Sequence, residues 1–270
     1  MIVVLSEDIL GVSTLLNRTT IIENETVNGF NIYKVRFENT LPFIILVSGY
    51  GKVNIARAIQ YVDTKYCIDK LIVTGNTGSL NETTAPIGTV GISTSALQYD
   101  IDFTALGAEP FSLLNQEVYT YDADENLITK ARGAAIVGDE TVNTGLFATA
   151  DRFLANTQEA TTLQADTNAL FVDTSTADAG QVAYFNQIPY VAIKGVSNYA
   201  GDDAVAQYNA NINEANQNAN NIVYQLLVNL IGINDEVNVN RCQNRNCNNP
   251  QTITWNGCYN PQTPCNRFWF

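Results

Sequence analysis

Pro42-Phe43-Ile44-Ile45-Leu46-Val47-Ser48-Gly49-Tyr50-Gly51-Lys52-Val53-Asn54-Ile55-Ala56-Arg57-Ala58-Ile59-Gln60-Tyr61-Val62 is the stretch on which the fold turns. It opens with a continuously apolar run, Pro42 to Val47, the pattern of a strand covered on both faces. Two glycines then make a loop. Beyond it, Ile55, Ala58, Ile59 and Val62 fall at i, i+3, i+4 and i+7, an apolar stripe along one side of a helix. A buried strand that passes through a glycine turn into an amphipathic helix is the repeating unit of α/β sheets.

The same alternation extends in both directions. Ile2 to Leu5, the stretch holding Ile32, Val35 and Phe37, Leu71 to Val73, Val90 to Ser93, Ala134 to Val137, Ala169 to Val172 and Tyr190 to Ile193 are expected as strands. Leu71 to Val73 is expected to end in a second glycine loop, Thr74-Gly75-Asn76-Thr77-Gly78-Ser79. A last helix carries Ile212, Ala215, Ala219, Ile222, Leu226 and Leu230 on one face, with asparagines elsewhere around it. The pattern predicts one α/β domain over residues 1–232, in three α/β/α layers around a mixed, mostly parallel sheet.

Composition changes abruptly after Gly232. Residues 233–270 are expected to form a polar linker and a tail rich in Cys, Asn and aromatic residues. In it Cys247-Asn248-Asn249-Pro250-Gln251-Thr252 recurs as Cys258-Tyr259-Asn260-Pro261-Gln262-Thr263. Cys242, Cys247, Cys258 and Cys265 lack the close pairing of a zinc site and are expected to form two disulfides, with three connectivities open. Cys67 reads as a buried small hydrophobe. The tail's Trp255, Phe268, Trp269 and Phe270 either dock on a neighbouring subunit, building a homo-oligomer, or pack back on their own domain.

Charge and residue usage narrow the function. There are 27 acidic and 14 basic residues, a net of −13, which disfavours nucleic acid and anionic membrane as partners. No stretch is long enough to span a bilayer. The absence of histidine removes every Ser-His and Cys-His nucleophile and imidazole metal ligand. No cofactor and no metal are expected. Disulfides and three N-glycosylation sequons, at Asn17, Asn24 and Asn81, point to a secreted protein. The first residues are too short an apolar run for a signal peptide, so the numbering is expected to start at a processed end.

Gly49-Tyr50-Gly51-Lys52 fails as a P-loop, lacking the four-residue spacer and the Ser/Thr after lysine, and as a dinucleotide fingerprint, since Asn54 replaces the third glycine. Taken with later segments it resembles something else. Ser48 to Ala56 is similar to the Ser-Gly-x-Gly-Lys-x-Asn/Ala segment of the nucleoside phosphorylase family, closest to its 5′-methylthioadenosine/S-adenosylhomocysteine nucleosidase branch. Thr74 to Leu80, followed by Ile87-Gly88-Thr89-Val90, resembles that family's Thr-Gly-Ser/Thr-Ala-Gly-Gly loop and its next strand. Gln98 to Gly107 resembles its Asp-Val-Thr-Ala-Phe-Gly stretch, and Val137-Gly138-Asp139 its Ser-Gly-Asp strand end. Val172-Asp173-Thr174-Ser175 stands for Val-Glu-Met-Glu, and Val191 to Asn198 for Val-x-x-Arg-x-Ile-Ser-Asp. The ordered set runs from residue 2 to 230 and implies a nucleoside phosphorylase-like fold.

The resemblance also implies a site, with departures. Asn198 stands where the family's aspartate protonates the leaving base, and an amide is no general acid. Ser175 replaces the glutamate that grips the ribose diol, Asp173 the first glutamate of that pair, and Asn76 a loop serine. The stacking aromatic beyond Gly-Asp is replaced near Glu140 and Thr141. Glu7 or Asp8 stands near the water-activating glutamate. These losses imply a vestigial pocket of Asn76, Thr141, Asp173, Ser175 and Asn198. The expected function is a secreted, catalytically inactive protein with a structural, storage or self-assembly role, as in the family's storage-protein relatives. Two alternatives stand beside it. One is an enzyme cleaving an N-glycosidic bond with relocated carboxylates, drawn from Glu7, Asp8, Asp173, Asp178, Asp202 and Asp203. The other is a module that binds a nucleoside or sugar.

Overall fold

The computed structural model describes residues 1–114 and 116–231. The expectations for 233–270, namely the pairing of Cys242, Cys247, Cys258 and Cys265 and the docking of Trp255, Phe268, Trp269 and Phe270, lie outside the described residues. Elements follow in the order β1 (Ile2–Ser6), α1 (Ser13–Leu16), β2 (Thr20–Val27), β3 (Phe30–Arg36), β4 (Phe43–Val47), α2 (Lys52–Tyr66), β5 (Lys70–Ser79), β6 (Val90–Gln98) and β7 (Thr120–Asp122). The second half adds α3 (Glu125–Gly138), β8 (Val142–Thr149), α4 (Thr157–Thr167), β9 (Phe171–Asp173), α5 (Thr176–Phe185), β10 (Tyr190–Tyr199) and α6 (Ala204–Ile231).

The quoted strand–loop–helix unit forms as expected: β4 is buried along its whole length, and α2 buries Ile55, Ala58, Ile59 and Val62. The strands make one mixed sheet, ordered β2-β3-β4-β1-β5-β10-β6-β8-β9, with β9 pairing back onto β5. Five strands therefore close on themselves, β1, β4, β3 and β2 extend as a wing, and β7 pairs with β6. Parallel pairs join β1 to β4 and β5, β10 to β5, and β8 to β6 and β9; the other pairs are antiparallel. This is the mixed α/β class expected.

One pairing detail makes the cavity. Along the same edge of β5, β1 runs parallel and is in register as far as Val73, whereas β9 runs antiparallel and pairs with Gly78 and Ser79. The two strands thus approach each other head-on. Their ends, and the residues that follow, meet beside Thr74 to Thr77.

The long helix α6 lies against β10, where Gly195 permits the approach: a Cβ there would stand 1.9 Å from the Ala215 carbonyl oxygen. Ala215, Ala219, Ile222, Leu226 and Leu230 are buried as the stripe predicts. Each large side chain buried there contributes roughly 1.5–3 kcal/mol. The helix's asparagines are not all at its surface. Asn220 is buried, accepting from Leu15 N at 3.0 Å and donating to the Gly11 carbonyl at 2.7 Å.

Two strand expectations need correction. Ala134 to Val137 belongs to α3, which Asp124 caps by accepting from Leu127 N at 2.9 Å. Ile136 and Val137 stand 82% and 69% exposed, so this short apolar run lies across two faces of a helix. The strand lies later, as β8. The loop expected at Thr74 to Ser79 is a continuation of β5, its inner residues buried against β10. Cys67 is buried as expected but is disulfide-bonded. Among the described residues no helix is long and apolar enough to cross a membrane.

Candidate active site

A cavity of about 370 Å³ opens where β1 and β9 converge. Glu7, the residue after β1, and Asp173 and Thr174, at the end of β9, line one side. Asn76, Thr77 and Gly78 of β5 and Asn198 of β10 form the floor. Asp151, Arg152, Phe153 and Leu154, following β8, join Tyr50 and Gly51 of the first glycine loop and Tyr208 of α6 to complete it. The cavity lies beyond the carboxyl ends of these strands, where α/β sheets characteristically bind ligands. Gly78 is needed here, since a Cβ would stand 3.1 Å from Nδ2 of Asn198 and 3.1 Å from Cγ1 of Val172.

Behind the wall lies a buried charge network. Lys194 is 1% exposed and sits 2.6 Å from Oδ2 of Asp173, itself 0% exposed, and 3.7 Å from Oε2 of Glu7. Its Nζ also donates to Ser175 Oγ at 2.5 Å. Ser175 in turn donates to Glu7 Oε2 at 3.0 Å, and Thr174 Oγ1 donates to Glu7 Oε1 at 2.7 Å. Both carboxylate oxygens of Glu7 are therefore held by hydroxyls.

Asp173 accepts from Thr149 Oγ1 at 2.6 Å and from Thr176 N at 3.1 Å, and so fastens the start of α5. Burial pushes its carboxyl up, but Lys194 and the hydroxyl bonds outweigh that and hold it below the usual aspartate range. Burial likewise works against the Lys194 ammonium, yet Asp173 and Glu7 raise it, so it stays charged. Glu7 is raised: burial dominates, with Lys194 and the hydroxyls of Thr174 and Ser175 pulling the other way. A carboxylate poised above its normal range beside open space is what general base catalysis asks for.

The expected site residues divide. Asn76, Asp173 and Asn198 line the cavity, with Glu7. Ser175 does not; it is 1% exposed and lies behind Glu7, holding it. Thr141 is exposed at the start of β8, the end of that strand away from the cavity, and Glu140 accepts there from Asn221. The misplaced register followed from taking Gly138-Asp139 as a strand end, when it ends α3. The segment after strand β8 is Ala150-Asp151-Arg152-Phe153, so the aromatic beyond the aspartate is Phe153, present in the cavity wall.

Asp8 stays at the rim, accepting from Gly11 N at 2.9 Å and from the Tyr50 hydroxyl. Asp202 and Asp203 are exposed before α6, and Asp202 accepts from Thr157 N at 3.2 Å. Asp178 is buried in the first turn of α5, outside the cavity lining, with neither oxygen hydrogen-bonded among the described residues. Burial raises it to about 8, against a lowering by Lys52. Asn17 and Asn24 are exposed and Asn81 is half-buried. Sequence reasoning missed Thr174, Lys194, Tyr50 and Tyr208 as parts of the site. Only Phe153 carried a signal, as an aromatic close behind an apolar strand.

Fold and cavity together define a nucleoside phosphorylase-like α/β protein with an ionisable carboxylate, Glu7, beside a ligand-sized space. A sequence model described as "Phosphorylase superfamily" matches residues 2–231, and the chain belongs to that superfamily. The 5′-methylthioadenosine/S-adenosylhomocysteine nucleosidase of Staphylococcus carnosus is 27% identical over 217 residues, covering 80% of this chain and 94% of that protein. That of Bacillus cereus strain B4264 is 28% identical over 208 residues, 76% of this chain and 88% of that one. Among solved structures, the Neisseria meningitidis nucleosidase in complex with methylthio-immucillin-A matches with a TM-score of 0.79 at 23% identity, covering 84% of this chain and 97% of that one. Helicobacter pylori futalosine hydrolase matches at 0.80 and 18% identity, over 84% and 97%. At these identities the structural likeness shows the fold.

These relatives correct the functional expectation. A catalytically inactive storage or self-assembly protein was expected; the similar proteins are nucleosidases and a hydrolase. The inference from lost groups also weakens on its own terms. An aromatic ring, Phe153, lines the cavity, and the Glu7 carboxylate opens onto it with the buried Asp173 behind.

Proposed function

We propose that the protein hydrolyses the N-glycosidic bond of a nucleoside, with Glu7 as the general base. The carrying observation is Glu7 itself. It faces the cavity with each oxygen held by a hydroxyl, its carboxyl raised by burial and its anionic form supported by Lys194. In this reading a water beside Glu7 loses its proton to the carboxylate and attacks C1′. Positive charge developing on the sugar ring is stabilised by the carboxylate of Glu7. Phe153, with Tyr50 and Tyr208, offers aromatic surface to the base, and Asn76 offers an amide group. The relatives' names support the reaction class and suggest adenosine-type thioethers or a futalosine-like nucleoside.

The test is release of free base from a panel of nucleosides, including methylthioadenosine, inosine and N7-methylated guanosine, with and without inorganic phosphate. Phosphate-independent base release supports hydrolysis. Release only with phosphate would make the protein a phosphorylase. A thermal shift with nucleoside and no release from any of the panel would leave a binding module in its place.

A further inference from the structure

We infer that the substrate's base leaves without being protonated, so that the preferred nucleoside carries a heterocycle that is already cationic, an N-alkylated purinium or a pyridinium. This rests on the hydrolytic reading above and deepens it.

Among the described residues that line the cavity, the titratable groups are Glu7, Tyr50, Asp151, Arg152, Asp173 and Tyr208. Cleaving a neutral purine nucleoside places negative charge on the departing ring, and a general acid ordinarily removes it. Asn198, on the cavity floor, is a carboxamide with both ends engaged: Oδ1 accepts from Ser197 Oγ at 2.8 Å and Nδ2 donates to the Tyr199 carbonyl at 3.1 Å. Each carboxylate of the wall is held as an acceptor. Glu7 takes the hydroxyls of Thr174 and Ser175, Asp173 takes Thr149, Thr176 and Lys194, and Asp151 takes Lys52 N at 2.9 Å. In these contacts each carboxylate is an acceptor and none is placed as a donor. Tyr50 already donates its hydroxyl proton to Asp8, and burial raises both it and Tyr208. Asp178 would carry a proton at neutral pH but lies outside the cavity lining.

The surroundings also suit a cation. The wall's positive charges are spent, Lys194 on Asp173 and Glu7, and Arg152 on Glu159 through two contacts. The whole chain carries −13. Aromatic faces such as those of Phe153 and Tyr208 attract a cationic ring more than a neutral one. With such a substrate the step balances without an acid. Water oxygen bonds to C1′, the C1′–N pair moves into the ring and neutralises it, and the water proton passes to Glu7.

The experiment compares kcat/KM for 7-methylguanosine and nicotinamide riboside with guanosine and adenosine, subtracting buffer-only hydrolysis. Loss of a general acid typically costs about 10²–10⁴ in rate, so the cationic substrates should be favoured by at least about 100-fold. In Asn198→Asp the neutral substrates should gain at least about tenfold and the gap narrow. Neutral nucleosides cleaved within tenfold of the cationic ones would overturn this inference while leaving hydrolysis intact. Cleavage of none of the four would overturn the hydrolytic reading and this inference with it. Should Asn198→Asp fold poorly, the wild-type ratio alone decides.

Discussion

The Ser175 hydroxyl donates to Oε2 of Glu7 across 3.0 Å, joining the start of α5 to the end of β1. Because Lys194 donates to the same oxygen of Ser175, the serine relays a buried positive charge to the base. What Ser175 grips is the protein's own carboxylate.

Ser175→Ala should therefore act on Glu7. One hydrogen bond of this kind is worth about 1 kcal/mol, so kcat should fall about fivefold while KM stays within twofold. Steady-state kinetics on any cleaved nucleoside checks this. An unchanged kcat would show that Thr174 and Lys194 suffice.

Removing the ring of Phe153 should weaken binding. Stacking of a base on an aromatic side chain is worth about 1–3 kcal/mol, so Phe153→Ala should raise KM or ligand Kd by about 5- to 150-fold. The residue is 47% exposed and meets Tyr208 edge-on at 5.5 Å, so little of the core depends on it. Calorimetric titration with a nucleoside tests the point, and an unchanged Kd would move the base elsewhere in the cavity.

The sugar should be read loosely. A vicinal diol is best gripped by a carboxylate with two free acceptors. Glu7 and Asp173 are already committed within the chain, and Ser175 does not reach the cavity. A 2′-deoxynucleoside and its ribo counterpart should show kcat/KM within about tenfold of each other, the worth of a single hydrogen bond to the missing hydroxyl. A preference above 100-fold for ribose would show that a diol clamp exists.

Stability should fall as pH rises from 5 to 8. Asp178 is raised from 3.8 to about 8 in the folded protein, so across that window the native state holds a proton that the unfolded chain has released. Its favourable contribution is present below the unfolded value and is lost up to about pH 8, at no more than about 1.4 kcal/mol per pH unit. Glu7, also raised, acts in the same sense. Asp173, held low, contributes oppositely and only at acid pH. Asp178→Asn should flatten the slope in urea unfolding and gain stability at pH 8; an identical pH profile in both proteins would contradict it.

The fold was largely legible because its buried strands carry unbroken apolar runs and its helices regular stripes, as in Phe43 to Val47 and Ile55 to Val62. Legibility failed where a run was short. Ala134 to Val137 suits either a strand or a helix, and only the Asp124 cap, with Leu127, Ile128 and Ala131 buried upstream, settles it. That error moved the Gly-Asp register and hid Phe153. β2 escaped notice because nearly all its residues are exposed. In the site, Glu7, Asp173, Asn76 and Asn198 were legible as residue types at strand ends. The head-on meeting of β1 and β9, which turns Ser175 inward and brings Lys194 behind Glu7, is a matter of sheet register that no local pattern encodes.

Glu7→Gln keeps the side chain's size and removes its basicity, which makes it the direct test of the catalytic claim. Base release from the best nucleoside of the panel should drop by about 10²–10⁴, with nucleoside binding retained. Equal rates of base release by Glu7→Gln and the wild type would contradict the assignment of Glu7 as the base.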